Sequence, residues 1–202
     1  MIVYCATTNP GKLREFRLAA ERLGYKIAIA PLPEMASIPP VEETGETFKE
    51  NAIQKAIYYS AHAPGPLFAD DSGLEVDALK GEPGVRSARF AGEGATDEAN
   101  NRLVLEKMRG VAQRTARFVC VIALAEKGRL LATFHGVVEG EILEEPRGPN
   151  GFGYDPLFYY QPFGCSFGEV SGERKLLVSH RGQALGRLLK FLSDRPARNR
   201  KA

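Results

Sequence analysis

The sequence contains few cysteines, and no two of them form a CxxC pair. The three residues, Cys5, Cys120 and Cys165, are far apart, and their odd number does not suit a disulfide framework. Cys5 and Cys120 lie within apolar runs, so we expect both to be small buried side chains rather than metal ligands or nucleophiles. This cysteine usage is typical of a protein in a reducing compartment.

The sequence also lacks an apolar run of membrane-spanning length. The first residues lead directly into a strand-like segment, without the charged region and long apolar core of a secretory signal. We therefore expect a soluble, cytoplasmic protein.

The sequence also has no large excess of positive charge, because its 27 Lys and Arg residues are nearly balanced by 25 Asp and Glu residues. Four of the positive residues follow Asp194, so the rest of the chain carries a net charge of −2. This balance argues against nucleic acid or a membrane surface as a partner. We predict one domain at residues 1–194, in two lobes, followed by a basic, flexible tail at residues 195–202.

Hydrophobic periodicity predicts strands and helices that interleave along the chain. The predicted strands cover residues 2–7, 26–30, 67–69, 117–125 and 130–138, the last two forming a hairpin. Predicted helices start after Asn9-Pro10, at Thr47 with capping-box spacing, after Thr96 and near Ser179. The order predicts an α/β fold with a mixed sheet, in which ligands bind where loops leave the carboxyl ends of strands.

The segment from Thr7 to Lys12 joins the first strand to the first helix. Free backbone N–H groups and the positive end of a helix suit an anion there, and Lys12 adds a point charge. It is not a Walker A loop, because Ala6 replaces the first glycine and Leu13 replaces the Ser/Thr ligand of magnesium. A phosphate cradle and a simple capped helix with a solvated lysine both remain open.

Two adjacent carboxylates, Asp70 and Asp71, follow the short apolar run 67–69. Their repulsion needs a cation or hydrogen bonds to offset it, and oxygen ligands without nearby His or Cys favour Mg²⁺ over zinc. Because side chains alternate along a strand, we expect Asp70 and Asp71 to point in different directions. The alternative is a turn capped by two carboxylates.

An acidic loop precedes the second helix and contains Glu43, which could complete a carboxylate site. On that helix, Asn51 and Lys55 are four residues apart and therefore share a face. Lys55 could face phosphate, although Glu43 and Lys55, each taken alone, are more often solvated surface groups.

Two further segments carry possible base-recognition groups. Phe152 lies in a glycine-rich loop, followed by Gly153, Tyr154 and Asp155, which suits stacking on a base with a carboxylate nearby. A core plug is the alternative for Phe152. The basic pair His180-Arg181 stands at a helix N-terminus, where the helix dipole disfavours positive charge, and this suggests a local anion or a base carbonyl. A structural role is an equal alternative for His180 alone.

Together, five segments closely resemble the inosine/xanthosine triphosphate pyrophosphatase family in the family's order: residues 6–12, 43–52, 69–79, 151–156 and 179–181. The resemblance implies an elongated mixed sheet flanked by helices, in two lobes with a central active-site cleft, and a homodimer. It also implies Mg²⁺-dependent hydrolysis of ITP, dITP and XTP to a nucleoside monophosphate and pyrophosphate. The residues alone do not separate attack at the α phosphorus from attack at the γ phosphorus.

The resemblance further implies roles, position by position. The triphosphate would be held by Thr7, Thr8, Asn9, Pro10, Gly11 and Lys12, with further phosphate contacts from Ser72, Lys55 and Lys175. Glu43 and Asp71 would bind Mg²⁺, and Asp71, assisted by Lys55, would orient or deprotonate the attacking water. The base would meet Phe152, Gly153, Tyr154, Asp155, His180 and Arg181, with Phe152 stacking on the purine.

Three other functions compete with this one. The septum-associated Maf-like pyrophosphatases act on modified pyrimidine nucleotides, but the segments around Phe152 and His180 resemble the purine enzymes. A nucleotide-binding regulator without turnover is less compatible with an intact Asp71, Glu43 and Lys55. Hydrolysis of ordinary ATP or GTP would show no preference for deaminated bases.

Overall fold

A computed structural model describes residues 1–194. The predicted basic tail at residues 195–202 lies outside the described residues. The helices are α1 (Pro10–Arg22), α2 (Phe48–Ser60), α3 (Asp97–Lys107), α4 (Gly172–Leu176) and α5 (His180–Ser193). The strands are β1 (Ile2–Cys5), β2 (Ala28–Pro31), β3 (Leu67–Val76), β4 (Thr115–Glu126), β5 (Arg129–Ile142), β6 (Phe158–Tyr160) and β7 (Cys165–Ser166).

The seven strands form one open mixed sheet in the order β2-β1-β3-β4-β5-β6-β7. β1 pairs in parallel with β2 and β3, and every later pair in this order is antiparallel. The long strands β3, β4 and β5 run through both lobes. The predicted mixed α/β fold is confirmed.

Local sequence signals explain where the helices begin. Asn9 caps α1 by accepting from the backbone N–H of Lys12, and Pro10 occupies the first helical position. Thr47 and Glu50 form the predicted capping box of α2. The side chains of Thr96 and Ser179 cap α3 and α5 by accepting from the backbone N–H groups of Ala99 and Gly182, so these predicted starts are confirmed.

Three apolar clusters form the core. On one face of the sheet, α1 and α5 cover Phe68, Cys120 and Ile122, whereas α2 covers Leu67 and Ala69 on the opposite face. This alternation is the two-residue period of a strand. The third cluster fills the second lobe, where the far ends of β3–β5 pack against α3, β6 and the segment around Phe167.

The prediction that a short strand ends before Asp70 was wrong. β3 continues through Asp70 and Asp71, which stay paired with Ile122 and Val121 of β4. The repulsion between the two carboxylates does not end the strand because cations from helices on opposite faces of the sheet neutralise them separately. As predicted, the two side chains point in different directions.

Cys5 and Cys120 are fully buried, as predicted, and burial raises the pKa of both thiols. Within residues 1–194, no helix is long and apolar enough to cross a membrane.

Candidate active site

A cleft of about 490 Å³ lies between the two lobes, within the size range of small-molecule sites. All the predicted site residues line it except Pro10 and Gly11, which begin α1. The cleft therefore brings together residues from both ends of the chain. Its walls also include side chains that the sequence did not single out, among them Phe118, Arg89 and Asp97.

The β1–α1 connection forms one end of the cleft. Thr7 Oγ accepts from the backbone N–H of Asn9 at 3.2 Å, which shapes the loop before the helix. Lys12 Nζ donates to Asp70 Oδ2 at 2.7 Å, so its charge is held over the sheet rather than left in solvent. Burial opposes ionisation of Asp70, but Lys12 and Arg181 outweigh it and lower the pKa of this carboxyl.

Asp71 lies on the opposite face of β3, against α2. Lys55 Nζ donates to Asp71 Oδ1 at 3.0 Å, and Asn51 Nδ2 donates to Asp71 Oδ2 at 3.2 Å. Lys55 Nζ also lies 3.2 Å from Glu43 Oε2, so one ammonium group bridges the two predicted metal ligands. Burial raises the pKa of Asp71 despite Lys55, whereas Asp71, Asp70 and Glu43 outweigh burial at Lys55 and raise its pKa.

The donor set at this end of the cleft fits a hard divalent cation. Two carboxylates already converge on one positive group, and within residues 1–194 no cluster of three or more His, Cys, Asp or Glu could hold a metal ion. Mg²⁺ is commonly held by one or two carboxylates and completes its shell with water and phosphate oxygens. Glu43 and Asp71 therefore fit a hard divalent cation, and they do not suit zinc.

A buried ionic network forms the opposite wall. Lys175 Nζ lies 2.7 Å from Glu15 Oε1 and 2.6 Å from Asp155 Oδ2, while Arg181 donates to Glu15 Oε2 and, at 3.1 Å, to Ser72 Oγ. Burial opposes ionisation of Glu15, but Arg181 and Lys175 outweigh it and lower its pKa. At Asp155 burial prevails over Lys175, so the pKa of that carboxyl is raised.

Lys175 lies within this network, beside the aromatic ring of Phe152. Its Nζ is 5.0 Å from the centroid of the Phe152 ring, and two carboxylates already engage it. A direct contact between Lys175 and phosphate, which the family resemblance implies, stays a prediction. The sequence analysis did not identify Glu15. This residue is buried on the same face of α1 as Ala19, four residues later. A charged residue on a buried helix face needs a partner, and this pattern could have revealed it.

Phe152 lines the cleft. Lys175 Nζ and Arg181 Cζ lie 5.0 and 5.1 Å from its ring centroid, and a Cβ added at Gly11 would come within 2.9 Å of the ring. The β1–α1 connection and the ring of Phe152 are therefore neighbours. Phe152 is partly exposed, which a base-stacking platform requires.

The loop that carries Phe152 is fixed by its own side chains and by α3. Asp155 Oδ2 accepts from the backbone N–H of Phe152 at 2.9 Å, and the buried Tyr154 donates its hydroxyl to the Ser87 carbonyl at 2.8 Å. Gly153 donates its N–H to Asp97 Oδ2 at 2.6 Å and accepts at its carbonyl from Asn101 Nδ2 at 3.0 Å. No local sequence signal revealed Asp97 or Asn101, because their shared partner Gly153 lies 56 positions from Asp97 and 52 positions from Asn101.

His180 is buried and stacks on Phe118, with ring centroids 4.8 Å apart. Neither ring nitrogen has a hydrogen-bond partner among the described residues, and the same holds for Nε of Arg181. Burial, followed by repulsion from Arg181, holds the pKa of His180 well below its usual range, so the imidazole is neutral. Unpaired polar atoms at a cleft wall suit a polar ligand that supplies the missing hydrogen bonds.

The chain is similar to known proteins over nearly its whole length. Residues 3–191 match the Ham1 family. The chain is 50% identical over 198 residues to a dITP/XTP pyrophosphatase of Acidobacterium capsulatum, covering 94% of this chain and 97% of that protein. It is 48% identical to a protein of the same name from an Exiguobacterium species, with coverage of 93% and 95%.

Solved structures show the same fold. A HAM1 protein from Coxiella burnetii superimposes with a TM-score of 0.86 at 42% identity, covering 96% of this chain and 100% of that chain. A nucleoside-triphosphatase, or dITP/XTP pyrophosphatase, from Mycobacterium abscessus gives a TM-score of 0.72 at 38% identity, with coverage of 95% and 100%. The likeness therefore extends over both lobes and the cleft between them.

Proposed function

The chain belongs to the Ham1 family, and on this premise we propose that it hydrolyses the non-canonical purine nucleotides dITP, ITP and XTP. The products are the nucleoside monophosphate and pyrophosphate. One observation supports this most directly: a single cleft joins a carboxylate–lysine site to an aromatic platform with unpaired polar groups. The activity removes deaminated purines from the nucleotide pool.

The metal site consists of Glu43 and Asp71, and Mg²⁺ is its proposed occupant. When bound, Mg²⁺ neutralises part of the triphosphate charge, which phosphoryl transfer requires. Lys55 already bridges the two carboxylates and keeps them together before the nucleotide enters. The preference for magnesium rests on the oxygen-only donor set.

The chemistry places a water molecule beside Asp71. The oxygen of this water attacks the α phosphorus. The bond between the α phosphorus and the oxygen that bridges to the β phosphorus breaks, and pyrophosphate leaves. Asp71 orients this water and accepts its proton, while Lys55 and Lys12 supply positive charge near the phosphates. Thr7, Thr8, Asn9 and the start of α1 hold the phosphate chain through the loop and the helix N-terminus.

The purine lies against Phe152, beside the β1–α1 connection. His180 is neutral and can donate from one ring nitrogen, and Arg181 can donate from Nε, so both suit the 6-oxo group of hypoxanthine or xanthine. Adenine presents an amino group at the same position and would leave these donors unpaired. A buried donor without a partner costs free energy, so the site should discriminate strongly against adenine nucleotides.

A substrate panel tests the reaction. Purified protein with Mg²⁺ is given equal concentrations of dITP, XTP, dGTP and ATP, and both nucleotide and phosphate products are resolved. We expect monophosphate and pyrophosphate from dITP and XTP, little product from dGTP and ATP, and a loss of about 10²- to 10⁴-fold in the Asp71→Asn variant. Orthophosphate together with a nucleoside diphosphate would show attack at the γ phosphorus and contradict the proposed reaction. Turnover of modified pyrimidine nucleotides alone would favour the Maf-like activity.

A pair of neighbouring variants tests the metal site. Glu43→Gln removes a ligand that touches Lys55, whereas Glu42→Gln changes an exposed neighbour that faces solvent. The first variant should need a higher Mg²⁺ concentration for half-maximal activity, and the second should behave as the parent protein. Equal behaviour of the two would remove Glu43 from the site.

We also propose a homodimer located in the cytoplasm, on the resemblance to the family alone. Light scattering on the purified protein would give twice the mass of one chain. A single-chain mass at all concentrations would contradict the dimer.

A further inference from the structure

We propose that Asn51 is a positioning residue that holds Asp71 in register with Glu43, so that the two carboxylates form one preassembled metal site. The inference rests on the proposed function, because it assumes that these carboxylates bind a divalent cation. It assigns to Asn51 a task distinct from those of Asp71 and Lys55.

The side chain of Asn51 bridges two separate parts of the site. Its Nδ2 donates to Asp71 Oδ2 at 3.2 Å, and its Oδ1 accepts from the backbone N–H of Gly45 at 2.8 Å. Gly45 follows Glu43 by two residues in the acidic loop. One amide therefore links the strand that carries the first carboxylate to the loop that carries the second.

This bridge is rigid for two reasons. Asn51 is 1% exposed and lies in the first turn of α2, so its side chain has little freedom to leave its partners. The loop also approaches the helix closely at Gly45, where an added Cβ would lie 2.7 Å from Asn51 Oδ1 and 2.6 Å from the Cβ of Glu50. A glycine at this position allows the backbone to reach the amide.

Lys55 touches the same two carboxylates, but its charge makes it a different kind of link. A divalent cation between Glu43 and Asp71 would repel the ammonium group and weaken that bridge. The neutral amide of Asn51 can keep both hydrogen bonds with or without the cation. Partners of this kind orient metal ligands, and their loss lowers metal affinity.

The chain offers a matched control one helical turn away. Gln54 Nε2 donates to Thr44 Oγ at 3.0 Å, so it fastens the same loop to the same helix. Within residues 1–194, Gln54 makes no hydrogen bond to Asp71. Comparing the two positions separates the bridge between the carboxylates from simple anchoring of the loop.

The experiment measures Mn²⁺ binding by electron paramagnetic resonance, without nucleotide, to the parent protein and to Asn51→Ala, Gly45→Ala and Gln54→Ala. Mn²⁺ replaces Mg²⁺ because both prefer oxygen ligands. We expect Asn51→Ala and Gly45→Ala to bind Mn²⁺ about 10- to 100-fold more weakly, and Gln54→Ala to stay within about threefold of the parent. Gly45→Ala leaves Asn51 and Asp71 intact, so it tests the bridge even if Asn51→Ala does not fold.

A kinetic measurement separates positioning from a general structural effect. Raising the Mg²⁺ concentration should restore much of the dITP hydrolysis lost in Asn51→Ala, while the KM for dITP at saturating Mg²⁺ stays near the parent value. The inference is overturned if Asn51→Ala and Gly45→Ala bind Mn²⁺ like the parent, or if Gln54→Ala loses as much affinity as they do. A parent protein that neither binds Mn²⁺ nor hydrolyses dITP would instead overturn the proposed function, and this inference with it.

Discussion

Lys175 Nζ lies 2.7 Å from Glu15 Oε1, although the two residues are 160 positions apart and both side chains are buried. Arg181 binds the other carboxylate oxygen of Glu15. The first helix, the short helix α4 and the last helix are thus joined by one carboxylate behind the Phe152 platform. Removing one partner of such a pair leaves a buried charge without compensation.

We therefore predict that Glu15→Gln lowers the free energy of unfolding by about 3–5 kcal/mol near neutral pH. The pKa of Glu15 is lowered in the fold from an ordinary value of 4.5, so its ionised form adds stability that is complete above 4.5. This stability is lost as the pH falls through the lower folded pKa. The difference between parent and variant should consequently shrink below pH 4.5, as measured by urea unfolding across this range.

Glu173→Gln provides the control for Glu15→Gln. Glu173 also pairs with an arginine, Arg22, but both side chains are about half exposed, so the expected loss is below about 1 kcal/mol. A Glu15→Gln effect that stayed constant from neutral to acidic pH would show that the carboxylate charge is not what stabilises the fold.

The contact of α3 with the Phe152 loop gives a second prediction. Asp97→Ala removes the acceptor for the Gly153 N–H and should raise the KM for dITP about threefold to tenfold, because a solvent-exposed hydrogen bond of this kind contributes about 0.5–1.5 kcal/mol. The kcat should change little, since Asp71 is unaffected. Glu98→Ala removes a neighbouring acid from the same first helical turn without touching the loop. Equal KM values for the two variants would contradict the assignment.

Gly136 of β5 gives a third prediction, because α5 crosses the strand at this point. A Cβ there would collide with the backbone carbonyl of His180 and lie 2.9 Å from the Ala184 N. Gly136→Ala should destabilise the fold by about 1–3 kcal/mol and raise the KM for dITP by displacing His180 and Arg181. Gly186→Ala, in the same helix, meets only Leu23 at 3.6 Å and should be neutral or stabilising by up to about 1 kcal/mol. Thermal unfolding and initial rates would distinguish them, and a stable, fully active Gly136→Ala would refute this packing argument.

The sequence predicted the parts of the fold that depend on neighbours in the chain. Asn9 with Pro10 and Thr47 with Glu50 are local signals, and both helix starts are confirmed. The end of β3 was mispredicted because the cations that neutralise Asp70 and Asp71 come from residues 58 and 16 positions away. The pairs of β6 and β7 are only two residues long, which is too short for a periodic pattern.

The same distinction applies to the cleft. Residues in compact motifs, such as Thr7 to Lys12 and Phe152 to Asp155, were found because several informative residue types stand together. Glu15 and Asp97 were missed because each acts through a distant partner and stands among ordinary helix residues. The prediction that ligands meet the carboxyl ends of strands applies to β1, whereas β3 contributes Asp70 and Asp71 from its middle.

The aromatic platform provides the last prediction. If Phe152 stacks on the purine, Phe152→Ala should raise the KM for dITP about tenfold or more, because stacking of a base on an aromatic ring contributes about 1–3 kcal/mol. Phe152→Tyr keeps the ring and should retain most of the affinity. Phe163→Ala serves as the control, since Phe163 also lies under a cation, Arg174 at 4.3 Å, but does not line the cleft.

These variants also decide between a platform and a core plug for Phe152. A plug would lower the free energy of unfolding on truncation and leave the KM for dITP unchanged, because the ring would contribute packing alone. A platform would leave the free energy of unfolding nearly unchanged and raise the KM for dITP, since the ring is partly exposed and truncation would remove the surface on which the base stacks. Urea unfolding together with KM measurements on the same preparations separates the two outcomes, and a stability loss without a KM change would remove Phe152 from base recognition.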